Sequence, residues 1–288
     1  MSVIESELNP FGGRVIDPGR LPDTVEAFAV DLSESLAAWE QEGVKVVWLQ
    51  LPIARSELVP VAVAAGFVYH HATEEWLQLT ATIEADSYVP PFATHYIGAG
   101  GVVLDDERRL LVIQERHHTR RHYKLPGGAL HPGEHIVDAV VREVKEETGV
   151  ETEFVSLVCF RHWHGYRHGK SDIYFVTRLR PLTHEIELDP GEIAECLWMP
   201  VDDYLGNPDT HAFNRRIVQA AIDQEAASVA SPPARPGQAR GGADQAFAAA
   251  APVTRCPVLR PESIAGYGTP QTHELFFPGP SPLHAAGR

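Results

Sequence analysis

The segment REVKEETGV, residues 142–150, sets Glu143, Glu146 and Glu147 three and four positions apart, where one turn of helix makes them neighbours. Like charges at these spacings repel by about 0.2–0.5 kcal/mol per pair on an exposed helix, so a cation is expected among them. On a wheel of roughly 100° per residue the glutamates share one arc. Val137, Val140, Val141 and Val144 fall largely beside and opposite it. A helix with one buried face and one acidic face follows. Just upstream, LPGGALHPGE carries Gly127 and Gly128, which let the backbone come close to a ligand and offer carbonyl oxygens. Hard oxygen donors of this kind suit Mg²⁺ or Mn²⁺, whose shell phosphate oxygens usually complete, so a small-molecule diphosphate substrate is implied. Taken alone, EVKEE is more often just a solvated helix face.

With 288 residues the chain has room for about two domains, and its 44% hydrophobic content is that of an ordinary globular core. It lacks the run of roughly 18 apolar residues that a membrane helix needs, and MSVIESELNPFGG is too polar and acidic for a signal peptide. A cytoplasmic location is therefore expected, with no membrane partner. Cys159, Cys196 and Cys256 are far apart and without paired spacing, which supports neither a disulfide framework nor a cysteine zinc site. A net charge of -15 argues against a general nucleic-acid coat, and any anionic ligand then needs local cations or a metal.

Three zones follow along the chain. Residues 1–93 read as a small α/β domain in the order strand, helix, strand, helix, strand: RVIDP, LPDTVEAFAVDLSESLAAWEQEG, VKVVWLQLP, SELVPVAVAAGF with Pro60 in its first turn, and YHHATEEWLQLTATI. On that last strand, alternation sends His70 and His71 to opposite faces, as surface residues. The paired prolines of DSYVPPFATH mark a linker. Residues 94–225 open with YIGAGGVVLD and RRLLVIQER, read as a hairpin around DDE. The acidic helix, three strands and a closing helix follow. Residues 226–288, rich in Ala, Pro and Gly, read as a mostly disordered tail; HELFFPGP could be a docking segment, but a solvated tail is the favoured reading there too.

The string GALHPGEHIVDAVVREVKEETGV, residues 128–150, has Gly128, five residues, Glu134, seven residues, REV, one residue, EE, Thr148, Gly149 and an aliphatic Val150. It resembles the Nudix box without a departure. The resemblance implies a Nudix α/β/α sandwich with a mixed sheet, following the small α/β domain. It also implies Glu143 and Glu147 as main metal ligands, Glu146 as sharing the ions or acting as a base through water, and the Gly128 carbonyl as a further ligand. Arg142 would orient the glutamates, and Glu134 would either cap the helix start or touch the metal's outer shell. A further catalytic carboxylate is expected at Glu192 in DPGEIAECLW, with Glu195 as competitor.

VVWLQLPI, AAGFVYHHA, WLQL, YKLPGG, FRHWH and GKSDIYFVTRLRPL are similar to a two-domain Nudix subfamily. It includes an animal protein encoded antisense to a fibroblast growth factor gene, and plant ADP-ribose and NADH pyrophosphatases. Mg²⁺-dependent cleavage of ADP-ribose or NADH to AMP and a second phosphorylated fragment is the expectation. Arg161, His164 and Lys170 are candidates for the distal part of the substrate, with solvated loops as the plain alternative. The proline that ADP-ribose-specific enzymes place about sixteen residues after the box is missing, and HWHGYRHG stands there with Tyr166, as in dinucleoside polyphosphate cleavers. Diphosphoinositol polyphosphate and capped-RNA hydrolases remain enzyme alternatives. A non-catalytic nucleotide sensor is the alternative from another class. The first domain could mediate homodimerisation or shape the substrate pocket.

Overall fold

Thr24 starts the first long helix: its Oγ1 accepts from the Ala27 N–H at 3.1 Å and caps α1 (Val25–Gln41). Phe28, Leu32, Ser35 and Trp39 recur at three- and four-residue spacing and are buried, so one stripe faces the core. The computed structural model describes residues 3–119, 121–230, 258–262 and 273–279. It divides into two units, Met1–Thr94 and His95–Arg288.

The first unit has a five-stranded sheet built from β1 (Ser6–Leu8), β2 (Arg14–Ile16), β3 (Val46–Pro52), β4 (Val68–Ala72) and β5 (Trp76–Thr82), in the order β1-β2-β3-β5-β4. β2 runs parallel to β3, and the other pairs are antiparallel. A 3-10 turn at Ile53–Leu58 leads into α2 (Val59–Ala64), with Pro60 at its start, where a missing N–H costs nothing.

Two expectations are corrected here. YHHATEEWLQLTATI is a hairpin rather than one strand, because the Thr73 Oγ1 accepts from the Glu75 and Trp76 N–H groups and turns the chain. A bulge between Tyr69 and His71 then breaks strict alternation, so His70 and His71 meet, Nδ1 to Nδ1, at 2.6 Å.

The second unit comprises β6 (His95–Val103), β7 (Arg109–Glu115), β8 (Gly127–Ala129), α3 (Ile136–Thr148), β9 (Thr152–Trp163), β10 (Ser171–Pro181), β11 (Ile193–Pro200), α4 (Val201–Gly206), α5 (Ala212–Ala230), β12 (Val258–Glu262) and β13 (His273–Gly279). Its mixed sheet has the order β12-β13-β9-β10-β6-β8, with β6 parallel to β10. β7 and β11 form a separate antiparallel pair. The expected β6–β7 hairpin is thus reduced to one bridge, Leu104 to Leu110, and the two strands enter different sheets. Asp105 makes that turn sharp: its carboxylate accepts from the Glu107 and Arg109 N–H groups and from the Arg109 side chain.

Side chains on neighbouring positions divide between two cores. Val102, Leu110 and Val112 pack with Phe213, Ile217 and Val218 of α5, whereas Val103 and Leu111 pack with Val140 and Val144 of α3. Helix, sheet and helix stack as an α/β/α sandwich.

Parts of the 226–288 tail carry regular structure. α5 runs on to Ala230, and residues 258–262 and 273–279 form strands. β13, which begins the HELFFPGP segment, lies antiparallel on β9, and Phe276 stacks on Phe160 with centroids 4.6 Å apart. The expectation for 231–257, 263–272 and 280–288 lies outside the described residues. Among the described residues no helix is long and apolar enough to cross a membrane.

Candidate active site

α3 ends where its sequence says it should. Gly149 takes a left-handed conformation, φ 74°, and its N–H reaches the Lys145 carbonyl at 2.8 Å. Ala139, Val140 and Val144 are buried on one side. On the other, Arg142 is the cation set between two of the three glutamates, Glu143 and Glu146. Its Nε and Nη2 bond both Glu134 oxygens at 2.7 and 2.9 Å, and its Nη1 reaches Glu143 at 3.0 Å and Glu146 at 2.8 Å. Glu134, Glu143 and Glu146 thereby become a fork-bound cluster, and Glu147 stands apart from it. Glu134 also accepts from the His131 N–H at 2.9 Å. The Arg142 hydrogen bonds, with help from that N–H, hold its carboxyl down to about 2. His135 stands at the N-cap without a side-chain bond, so Glu134 serves as an anchor for Arg142.

Glu147 points inward and is 7% exposed. Its Oε2 accepts from the Gly127 N–H at 2.7 Å. Burial pushes it up to about 7, while nearby Lys124 and the Gly127 N–H act in the opposite direction. Gly127, at φ 141°, lies opposite Gly100 on β6, where a Cβ would strike backbone and the Tyr174 hydroxyl. At Gly128 a Cβ would come within 2.5–2.6 Å of the Glu143 carboxylate. The glycine pair therefore lets β8 press against the acidic face. The Gly128 carbonyl lies on the β6 side of this strand, beside Gly98. Glu146 stays outside, its side chain 58% exposed.

Among the described residues no three His, Cys, Asp or Glu side chains close on one point at ligand distance. The set that faces the turn is an open one of carboxylates. Such a set suits a hard divalent ion that keeps water or phosphate oxygens in its remaining positions.

Beside Gly127 and Gly128 opens a cavity of about 740 Å³. Arg161 lines it, ion-paired to the buried Asp172 and set against the Trp163, Tyr174 and Phe213 rings at 5.2–5.8 Å. Tyr166 lines it too, edge-on to Tyr96 with centroids 5.6 Å apart. Lys124 lines it while ion-paired to Glu115. His164 and Lys170 are not among the lining residues: the His164 Nδ1 meets the Ser171 Oγ at 2.9 Å, and the Lys170 N–H turns to the Arg167 carbonyl. Glu192 is exposed, with its carbonyl bonded to the Arg116 N–H, and Glu195 accepts from the Tyr123 hydroxyl; neither lines the cavity.

The stretch ERHHTRRHYK, Glu115 to Lys124, is a basic one expected from the sequence to flank the site, and both its ends line the cavity; Asp172 and Tyr174 carried no expected role. A usable signal was present in SDIYFV, where period-two spacing puts Asp172, Tyr174 and Val176 on one face of a strand, and all three line the cavity.

Among solved structures, the NUDIX hydrolase from Nitrosomonas europaea aligns over 46% of this chain and 89% of its own, with a TM-score of 0.39 and 25% identity. In sequence, the NUDIX domain family model matches residues 94–221, and a model described as Nudix hydrolase domain matches residues 4–83. Nudix hydrolase 8 of Arabidopsis thaliana is 42% identical over 212 residues, 72% of this chain; the chain spans 58% of that relative's length. Nucleoside diphosphate-linked moiety X motif 6 of Homo sapiens is 35% identical over 227 residues, covering 76% of this chain and 72% of the human protein. With an acidic helix pinned to a glycine turn in an α/β/α sandwich, and with likeness of this extent on both units, the chain belongs to the Nudix hydrolase family.

Proposed function

We propose that the chain is a divalent-ion-dependent pyrophosphohydrolase acting on a nucleoside diphosphate linked to another moiety, with ADP-ribose or NADH cleaved to AMP and a second phosphorylated fragment. The observation that carries this reading is the pinning of Glu143 and Glu147 against Gly127 and Gly128 at the edge of the 740 Å³ cavity. Glu143 and Glu147 would hold Mg²⁺ or Mn²⁺, with Glu146 sharing the ions; the Gly128 carbonyl, expected as a further ligand, lies on the β6 side of its strand. Such an ion, when bound, neutralises diphosphate charge and lowers the pKa of the attacking water. Arg142 keeps the carboxylates aimed through its ion pairs. Glu146 through water accepts the proton of the attacking water, with Glu192 as the further carboxylate expected for that role. Arg161 faces the distal part of the substrate from the cavity wall.

The test is a substrate panel of ADP-ribose, NADH, dinucleoside polyphosphates, diphosphoinositol polyphosphates and capped RNA, each with Mg²⁺ or with EDTA. AMP release from ADP-ribose or NADH that stops in EDTA is the expected result. Hydrolysis confined to the polyphosphate members would overturn the substrate reading. No metal-dependent hydrolysis of any member, with nucleotide binding intact, would identify a ligand sensor.

A further inference from the structure

Two cations on the cavity wall are each matched by a carboxylate, Lys124 by Glu115 and Arg161 by Asp172. Asp172 is 5% exposed yet lines the cavity. Its Oδ2 takes the Arg161 Nη2, and Oδ1 has no hydrogen-bond partner among the described residues. The Arg161 Nε is buried without an acceptor among the described residues, and its Nη2 is held by Asp172. Three aromatic rings close round it.

Position along the strand says what part of a ligand Asp172 meets. Tyr174 stands beside the glycine turn, its hydroxyl close to Gly100 and Gly127. Asp172 is two residues away on the same face of β10, about 7 Å at the usual strand rise. A diphosphate held at Gly127 and Gly128 therefore brings its neighbouring group, not the diphosphate itself, to Asp172.

We propose that Asp172 is a specificity-determining residue: its free oxygen accepts from the hydroxyls of a sugar flanking the diphosphate, and its charge turns away ligands that place a further phosphate there. The inference rests on the proposed hydrolase reading and narrows it to sugar-flanked diphosphates. A phosphate at this position would meet a carboxylate and a guanidinium already engaged, whereas a hydroxyl gains an acceptor. A site built to bond a hydroxyl discriminates strongly against a group that cannot donate, and an opposed charge adds rejection to that attraction. Arg167, which stands over the Tyr166 ring at 5.4 Å, is a further lining cation.

The experiment compares kcat/KM for ADP-ribose and for diadenosine tetraphosphate, in Mg²⁺, on the full chain and on Asp172→Asn. The wild-type chain is expected to prefer ADP-ribose at least tenfold; an equal or reversed ratio overturns the inference without any variant. Asp172→Asn is expected to narrow that ratio tenfold or more, with the loss on ADP-ribose appearing in KM and kcat largely kept. An unchanged ratio in a variant with a normal thermal transition also overturns it. If the variant does not fold, the wild-type ratio decides. If neither compound is cleaved, the hydrolase reading fails by itself, and calorimetric titration of both compounds without divalent ion decides the same tenfold preference.

Discussion

Replacing Gly128 with alanine tests how closely the acidic face must approach the turn. The added Cβ would stand 2.5 Å from Glu143 Oε2 and 2.6 Å from its Cδ and Oε1. To restore the ordinary contact distance of 3.4 Å the carboxylate must retreat by roughly 0.9 Å. The obstacle is the far end of a flexible side chain, not backbone, so the fold can absorb it. Destabilisation should stay at the low end of the roughly 1–3 kcal/mol typical of overpacking. The effect on turnover should be much larger, because displacements near 1 Å cost about 10²-fold when reacting groups must be aligned. The assay is Mg²⁺-dependent AMP release from ADP-ribose, run alongside urea unfolding. A drop of about 100-fold in kcat with stability nearly kept is the expected pattern. Full activity would refute the claim that Glu143 works from where the glycine lets it sit; loss of folding would refute the claim that the strain falls on the side chain.

Glu147→Gln preserves the acceptor for the Gly127 N–H and should fold normally, yet lose about 10²-fold or more in turnover; a variant of full activity would contradict the assignment. Glu134→Gln should show a pH signature in urea unfolding. The folded pKa of about 2 lies below the ordinary 4.5, so the stability that Glu134 supplies is complete above 4.5 and lost as pH falls through about 2. The gap between wild type and variant should therefore close on acidification, and a constant gap from pH 5 to 2 would rule the pairing out as its source. Leu111→Ala should cost about 2–5 kcal/mol, since Leu111 is fully buried beside α3; a loss below 1 kcal/mol would mean that the core there collapses around the gap.

How much of this was legible in the chain depends on how local the cause is. α3, its Arg142 cation and its Gly149 stop follow from residues within one another's reach along a single helix, so spacing alone exposes them. The pairing of β6 does not: its neighbour β10 lies some 75 residues later, and RRLLVIQER looks like the natural hairpin partner until the Asp105 turn sends it to the other sheet. The β4–β5 hairpin escaped notice because Thr73, not a glycine or asparagine, makes the turn. His70 and His71 were misplaced because one bulge undoes alternation, and nothing in the letters announces a bulge. Asp172 had no visible role until cross-strand pairing brought Arg161 beside it, since neither residue type is unusual in a loop-flanked strand.

β13 has a consequence for how the molecule meets its neighbours in solution. By lying along residues 160–163 of β9, it occupies a rim of amide and carbonyl groups that would otherwise invite a foreign strand. The chain covers that rim with its own strand, Phe276 being the clasp on Phe160, and the sheet edge passes outward to β12. Loosening that clasp should therefore show itself first as self-association of folded molecules, well before any change in thermal stability.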